Sequence, residues 1–472
     1  MKKNYTAGIF FCLMMILALP FNLQAQQAAS QQAVSQQTAA VVRLTADEAV
    51  DLAIRNNLGL ESSRTSLETK RRASELSWNQ FIPTVDVGGA ILRLNEAPAG
   101  MTLPIPPPVG PIIIPGGSQW RVTGSLSVSL SFNAAMIEEM KRLRIEYEGG
   151  LLTYEKAKAQ LERDIRKLYH NMLLMQENLN LLHSSFENVE RQVQIAQANY
   201  RAGFIPELTL LQAQVARENM RPVIDQVENG LKLLMAQFAF FLGMSYETEF
   251  ELTPISDDLE FILVDAAEMI SQAAAGKPEI NELRNTILSL NSLKKATTLR
   301  IYSPTISLSW SADPSFSGDP WKDSWFNMDR WNQQQGMFRI TLGFRLNGLL
   351  PFGVESQGLK SLDDQIKIAT IGLAQLVRGT EIEVYNIVLA LERTRINTQA
   401  LEQTVALAQQ AYRLTEQAYR AGLQDYFQVQ NAEQSLRQAQ VQLLEQHFTY
   451  LNGLIDLEYA IGVPFGTLSG RR

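Results

Sequence analysis

Between Trp120 and Phe132 the chain alternates without a fault. Trp120, Val122, Gly124, Leu126, Val128, Leu130 and Phe132 fall on one side, and Arg121, Thr123, Ser125, Ser127, Ser129 and Ser131 on the other. A period of two marks a strand with one apolar and one polar face. A second run sets Phe338, Ile340, Leu342, Phe344 and Leu346 against Arg339, Thr341, Gly343 and Arg345, and predicts a strand over about 338–347. Partner strands are predicted over about 84–94, where the alternation is looser, and about 305–311, where Ile306, Leu308 and Trp310 share a face. Strands of about ten residues, apolar on one side and tipped with aromatics, fit a transmembrane barrel. A half-buried hairpin of a soluble sheet has the same period. Four strands cannot close a barrel, because small barrels have about eight, and an open edge leaves backbone groups unpaired in lipid. If these are membrane strands, several chains share one barrel, and three chains would supply twelve strands.

After Phe132 the period changes. Apolar residues recur at steps of three or four from Met140 through Leu161, Ile165, Met172, Leu179, Leu182, Val189 and Val193 to Tyr200. That spacing is the seam of a coiled coil. A helix of about 68 residues at 1.5 Å per residue reaches roughly 100 Å, far more than a globular core requires. A second long helix is predicted from about Glu355 to Tyr419, with a more polar seam around Glu392 to Gln403. Each ends in Tyr-Arg-Ala-Gly, which supplies a glycine where helices commonly need a left-handed residue. Upstream, Leu44-Thr45-Ala46-Asp47-Glu48 offers a capping box for a helix predicted to run toward Phe81 and stop at Pro83.

These elements are written twice. Tyr200-Arg201-Ala202-Gly203 recurs as Tyr419-Arg420-Ala421-Gly422, 219 residues on. Leu210 and Ala213 meet Val429 and Ala432, and Leu242-Gly243 meets Ile461-Gly462, at the same offset. Phe81-Ile82-Pro83-Thr84-Val85 resembles Tyr302-Ser303-Pro304-Thr305-Ile306. Anchors in one order at nearly constant offset predict two equivalent halves, 44–262 and 263–472. Each reads as a helix, two strands, a very long helix, a turn and another helix. The loops between paired strands, rich in Pro and Gly over 98–117 and carrying Trp321, Trp325, Phe326 and Trp331 over 313–336, fit shields of a pore mouth.

The N-terminus has the layout of a secretory signal over 1–25, with Lys2 and Lys3 before the apolar run Ile9–Leu19 and cleavage after Ala25. A Gln-, Ala- and Ser-rich leader over 26–43 is expected to be flexible. The only cysteine, Cys12, lies inside the signal, so the mature chain can hold no disulfide or zinc–sulfur site. Losing Lys2 and Lys3 takes the formal charge from −7 to −9, which argues against nucleic acid as a partner. A mean hydropathy of −0.09 is too polar for a bundle of membrane helices. His170, His183 and His447 lack a second histidine at ligand spacing, and no phosphate loop or serine elbow occurs. No catalytic, cofactor or metal site is expected.

Leu44-Thr45 through Asn56-Asn57, the two strand pairs, the two Tyr-Arg-Ala-Gly tips and the closing Leu-Gly and Ile-Gly pairs together resemble the outer-membrane efflux protein (TolC) family, over nearly the whole mature chain. The resemblance implies a mixed, mostly α fold. It would be a homotrimer whose twelve-stranded transmembrane β-barrel, four strands per chain, continues into a periplasmic α-helical coiled-coil barrel. It implies an outer-membrane channel-tunnel of a Gram-negative cell, extending into the periplasm. Such a channel serves a tripartite efflux or type I secretion system, with a periplasmic adaptor (membrane fusion) protein and an inner-membrane RND or ABC transporter as partners. By similarity, Tyr200, Arg201, Gly203, Phe204, Tyr419, Arg420, Gly422 and Leu423 would contact the adaptor. Relatives often carry aspartates six and nine residues after the second tip glycine; here Gln428 and Asn431 stand there, leaving Asp425 as the acidic candidate at the periplasmic constriction. The rival reading is a periplasmic coiled-coil adaptor or a structural protein of the envelope, but an adaptor has one helical hairpin, not two halves each with a strand pair.

Overall fold

A computed structural model describes residues 42–468, except 105–109, 111, 115, 255–260, 320, 323–329 and 422. The signal, the leader up to residue 41, the centre of the Pro-rich loop, Trp325, Phe326 and Gly422 lie outside the described residues. The chain is mostly helical. Strand β1 (Val42–Leu44) takes in the last residues read as leader, and pairs in parallel with β6 (Phe250–Leu252).

Thr45 caps α1 (Ala46–Asn56) through the expected box: its amide donates to Glu48 Oε2 at 2.8 Å, and the Glu48 amide to its hydroxyl at 3.3 Å. The single helix predicted to Phe81 is broken. Asn57 ends α1 and caps α2 (Leu58–Glu75), accepting from the Leu60 amide at 3.0 Å, while its Nδ2 donates to the Phe241 carbonyl at 2.9 Å. A short 3-10 turn, Ser77–Phe81, then leads to Pro83.

Helices α3 (Ala135–Arg201) and α7 (Val354–Arg420) have 67 residues each, or about 100 Å at 1.5 Å per residue. The seam expected on α3 is its buried face from Leu161 to Ala196, packed on α4 (Glu207–Phe241). Along α7 the buried positions include Thr380, Thr394 and Thr398, whose hydroxyls keep that seam polar without a charge. Helix α8 (Tyr426–Ile461) completes the second hairpin; α5 (Ala266–Gly276) lies against it and α7, and α6 (Pro278–Tyr302) against α3 and α7. Gly462 closes α8 at φ +71°, and a Cβ there would collide with the Gly276 carbonyl between α5 and α6. The glycine thus ends one helix and admits another backbone.

The sheet has four long strands in the order β2 (Thr84–Arg93), β5 (Trp120–Asn133), β7 (Thr305–Ala312) and β9 (Gly336–Gly343), all antiparallel. Three short strands extend its loops: β3 (Met101–Leu103) pairs with β4 (Ile112–Ile114), and β8 (Ser315–Ser317) with β5. β9 is shorter than predicted. It ends at Gly343, and Leu346 belongs to a 3-10 turn over Leu346–Leu349. Asn133 joins sheet to helices: its Oδ1 accepts from the Ala135 amide at 2.9 Å, which starts α3 two residues after the strand. None of the described helices is long and apolar enough to cross a membrane.

Candidate functional site

Register decides what the sheet can do. Directly opposed residues put their side chains on one face. Val85, Val128, Trp310 and Phe338 form one such row; Leu130, Leu308 and Ile340 the next; Phe132, Ile306 and Leu342 the third. The apolar sides of four separate strands therefore merge into one face. Asp86, Ser127, Ser311 and Met337 form a row on the opposite side, followed by Thr84, Ser129, Ser309 and Arg339. Much of the apolar face is bare, with Val87, Phe338 and Leu342 63%, 65% and 71% exposed, while Val122, opposite Phe316 of β8, is buried. Both edges, β2 and β9, lack an outer neighbour among the described residues. Arg93 lies 5.5 Å over the Trp120 ring at one rim of that face.

At the far ends of the long helices the two Tyr-Arg-Ala-Gly turns reverse the chain. In the first, Gly203 takes φ +77°, its amide donates to the Tyr200 carbonyl at 2.9 Å, and the Phe204 amide to Asn199 at 2.8 Å. These are the two bonds of a Schellman cap. In the second, the Leu423 amide donates to the Ala418 carbonyl at 2.9 Å, the equivalent long bond. Phe204 and Leu423 are each 79% exposed.

Under the tips, Val193, Ala196, Leu210, Ala213, Tyr419, Tyr426 and Val429 from α3, α4, α7 and α8 form one apolar cluster. The Leu210-x-x-Ala213 pattern is therefore packing, as is its counterpart Val429. Tyr200 is exposed, whereas Tyr419 is buried with its ring 6.2 Å from Tyr426. Arg201 is exposed; Arg420 is exposed too but pairs with Glu416 at 2.6 Å. Neither the Tyr419 nor the Tyr426 hydroxyl has a hydrogen-bond partner among the described residues. Burial, with Glu433 nearby, pushes the Tyr426 phenol up to about 12.

Asp425 caps α8, accepting from the Gln428 amide at 3.0 Å. Its carboxylate thus has a structural task before any other. Gln428 and Asn431 are exposed on the same helix. Several polar contacts join the two hairpins, among them Lys167 with Asp456 and His170 with Asn452, and two lie toward the tips. The buried Glu433 carboxylate meets the Ser185 hydroxyl, and Gln192 Nε2 donates to the Tyr412 hydroxyl at 3.4 Å. The sequence reading did not place Glu433, although it follows Tyr426 and Val429 at seam spacing. Among the described residues no three His, Cys, Asp or Glu side chains gather as a metal site.

No curated protein matches this chain in sequence. Residues 49–232 match the model of the outer membrane efflux protein family. Among solved structures, the transmembrane channel protein CusC superposes with a TM-score of 0.71 at 17% identity, covering 92% of this chain and 96% of its own. The CmeC outer membrane channel of Campylobacter jejuni gives 0.69 at 15%, covering 88% and 85%. The MtrE outer membrane channel of Neisseria gonorrhoeae, in its open state, gives 0.65 at 16%, covering 89% of each chain. Residues 49–232 thus carry the pattern of the outer membrane efflux protein family, on a chain whose fold resembles that of these channels over nine-tenths of its length.

Proposed function

We propose that three copies of the chain form an outer-membrane channel-tunnel, in a twelve-stranded barrel that continues into a periplasmic α-barrel. The observation that carries this reading is the four-stranded sheet with one largely bare apolar face and two open edges. Such a sheet is stable in lipid only if the edges pair, which β9 of one copy and β2 of the next accomplish. The exposed apolar residues along the helices support the same association: Leu208, Val215, Leu233 and Phe240 on α4, and Ile368, Ile382, Ile396 and Leu407 on α7. The two structural repeats, 44–262 and 263–472, then give each copy two strand pairs and two hairpins.

Substrates pass from an inner-membrane RND or ABC transporter and its periplasmic adaptor, through the tunnel, to the exterior of a Gram-negative cell. The adaptor docks on the tips through Tyr200, Arg201, Gly203, Phe204, Tyr419, Arg420, Gly422 and Leu423. Asp425, Gln428 and Asn431 line the periplasmic constriction, where two neutral amides hold cations poorly. The chain needs no cofactor and catalyses nothing.

An arginine scan tests the membrane reading. Val128→Arg or Leu342→Arg would face lipid and cost about 2–4 kcal/mol near the midplane, while Ser127→Arg or Thr341→Arg would face water and cost little. Heat-modifiable trimer on gels in mild detergent is the readout. Equal assembly by both pairs of variants would overturn the reading.

A further inference from the structure

The polar side of the sheet is chemically narrow. Across all four long strands its only charged residues are Arg121, Arg339 and Asp86; hydroxyl side chains, chiefly serines, fill most of the rest. All three are exposed, and neither arginine makes an ion pair among the described residues. The geometry points to a barrel that passes anions in preference to cations, in a chain whose formal charge is −7. The inference rests on the trimeric-barrel reading above, under which this face lines the lumen.

Each chain brings two positive charges and one negative to the lumenal face, so three chains leave an excess of three positive. The size of the barrel lets that excess act. Twelve strands about 4.8 Å apart, tilted about 40°, give a backbone radius of about 12 Å. The screening length at 0.1 M salt is about 10 Å. A ring of arginines therefore spreads its field across the lumen instead of along the wall alone. Low-dielectric walls on the lipid side concentrate that field in the water they enclose. The rows of serine add hydroxyl dipoles that turn toward either sign, so they do not cancel the arginines. At the periplasmic end, Gln428 and Asn431 bring no opposing charge, and the Asp425 carboxylate is engaged as a helix cap. Anionic and neutral solutes then meet no barrier in the barrel, whereas polycations meet repulsion.

Purified trimer in bilayers of uncharged lipid, under a KCl gradient, gives the answer through the sign of the zero-current potential. Expected is a chloride-to-potassium permeability ratio above one that falls toward one as salt is raised. Asp86→Asn should raise the ratio, Arg121→Gln with Arg339→Gln should bring it to about one, and Arg121→Glu with Arg339→Glu should reverse it. The glutamine pair keeps the test available if the glutamate pair fails to assemble. A cation-preferring wild type, or a ratio the arginine variants do not move, overturns the inference while leaving the channel intact. A purified chain that forms no trimer and no pore overturns the barrel reading and the inference together.

Discussion

The two tips carry the same tetrapeptide and live in different surroundings. Tyr200 lies 40% exposed beside an exposed Arg201; Tyr419 is 7% exposed, under Tyr426, beside an arginine held by Glu416. Backbone reversal is shared, since both turns make the same long cap bond. Side-chain work is not. The first turn leaves its tyrosine and arginine exposed, and the second spends its tyrosine on the cluster that joins α7 and α8 to α3 and α4. An identical motif thus fixes the turn, while the neighbours decide the task.

The largest expected effect separates the two tyrosines. Tyr419→Ala should destabilise by about 3–5 kcal/mol, the range for emptying a large aromatic site, whereas Tyr200→Ala should fall within about 0.5 kcal/mol. Urea unfolding of the detergent-solubilised protein measures both. Tyr419→Phe should be neutral or stabilising, because it removes a buried hydroxyl without a hydrogen-bond partner among the described residues. Equal losses at the two positions would erase the comparison.

Alkaline pH sharpens it next. Burial raises the Tyr426 phenol in the folded state to about 12, above its unfolded value near 10. The stabilisation is then complete below about pH 10 and is lost as pH rises toward 12, by roughly 2–3 kcal/mol. Tyr426→Phe should flatten that fall in an unfolding series across pH 9–12. A variant as alkali-sensitive as wild type would assign the effect elsewhere.

Gly203→Ala comes third. Nothing lies within 4 Å of the added Cβ, so the whole cost is the left-handed backbone, about 1–2 kcal/mol. A larger loss in thermal or urea unfolding would reveal packing at a turn that is open in this chain.

Much of this was legible before any coordinates. The alternation in Trp120–Asn133 and the steps of three and four along α3 are local, and each names its buried or apolar side directly. The break at Asn57 was not, because its second bond reaches Phe241, 184 residues away. Helical spacing runs on through residues 46–75 and conceals the cap. β9 stops at Gly343 although Phe344 and Leu346 continue its alternation, since β7 starts at Thr305, opposite that glycine, and has no residue left to pair. The burial of Tyr419 depends on Val193 and Ala196 from the other half of the chain, which no inspection of the tetrapeptide can supply.

The arginines give the smallest effect on stability and the sharpest on docking. An exposed i,i+4 pair such as Arg420 with Glu416 contributes about 0.3–0.5 kcal/mol, and Arg201 makes no ion pair among the described residues. Arg201→Ala and Arg420→Ala should therefore both fold and assemble as trimers. If an adaptor helix docks on the tips, Arg201 is free to reach a carboxylate or carbonyl on it at once. Arg420 must first leave Glu416. Adaptor crosslinking in the envelope should then fall more for Arg201→Ala than for Arg420→Ala. Glu416→Gln should raise crosslinking by releasing Arg420. A double arginine variant that exports and crosslinks like wild type would reduce both tips to helix reversals, and equal losses from the single variants would mean that docking breaks the Glu416 pair at little cost.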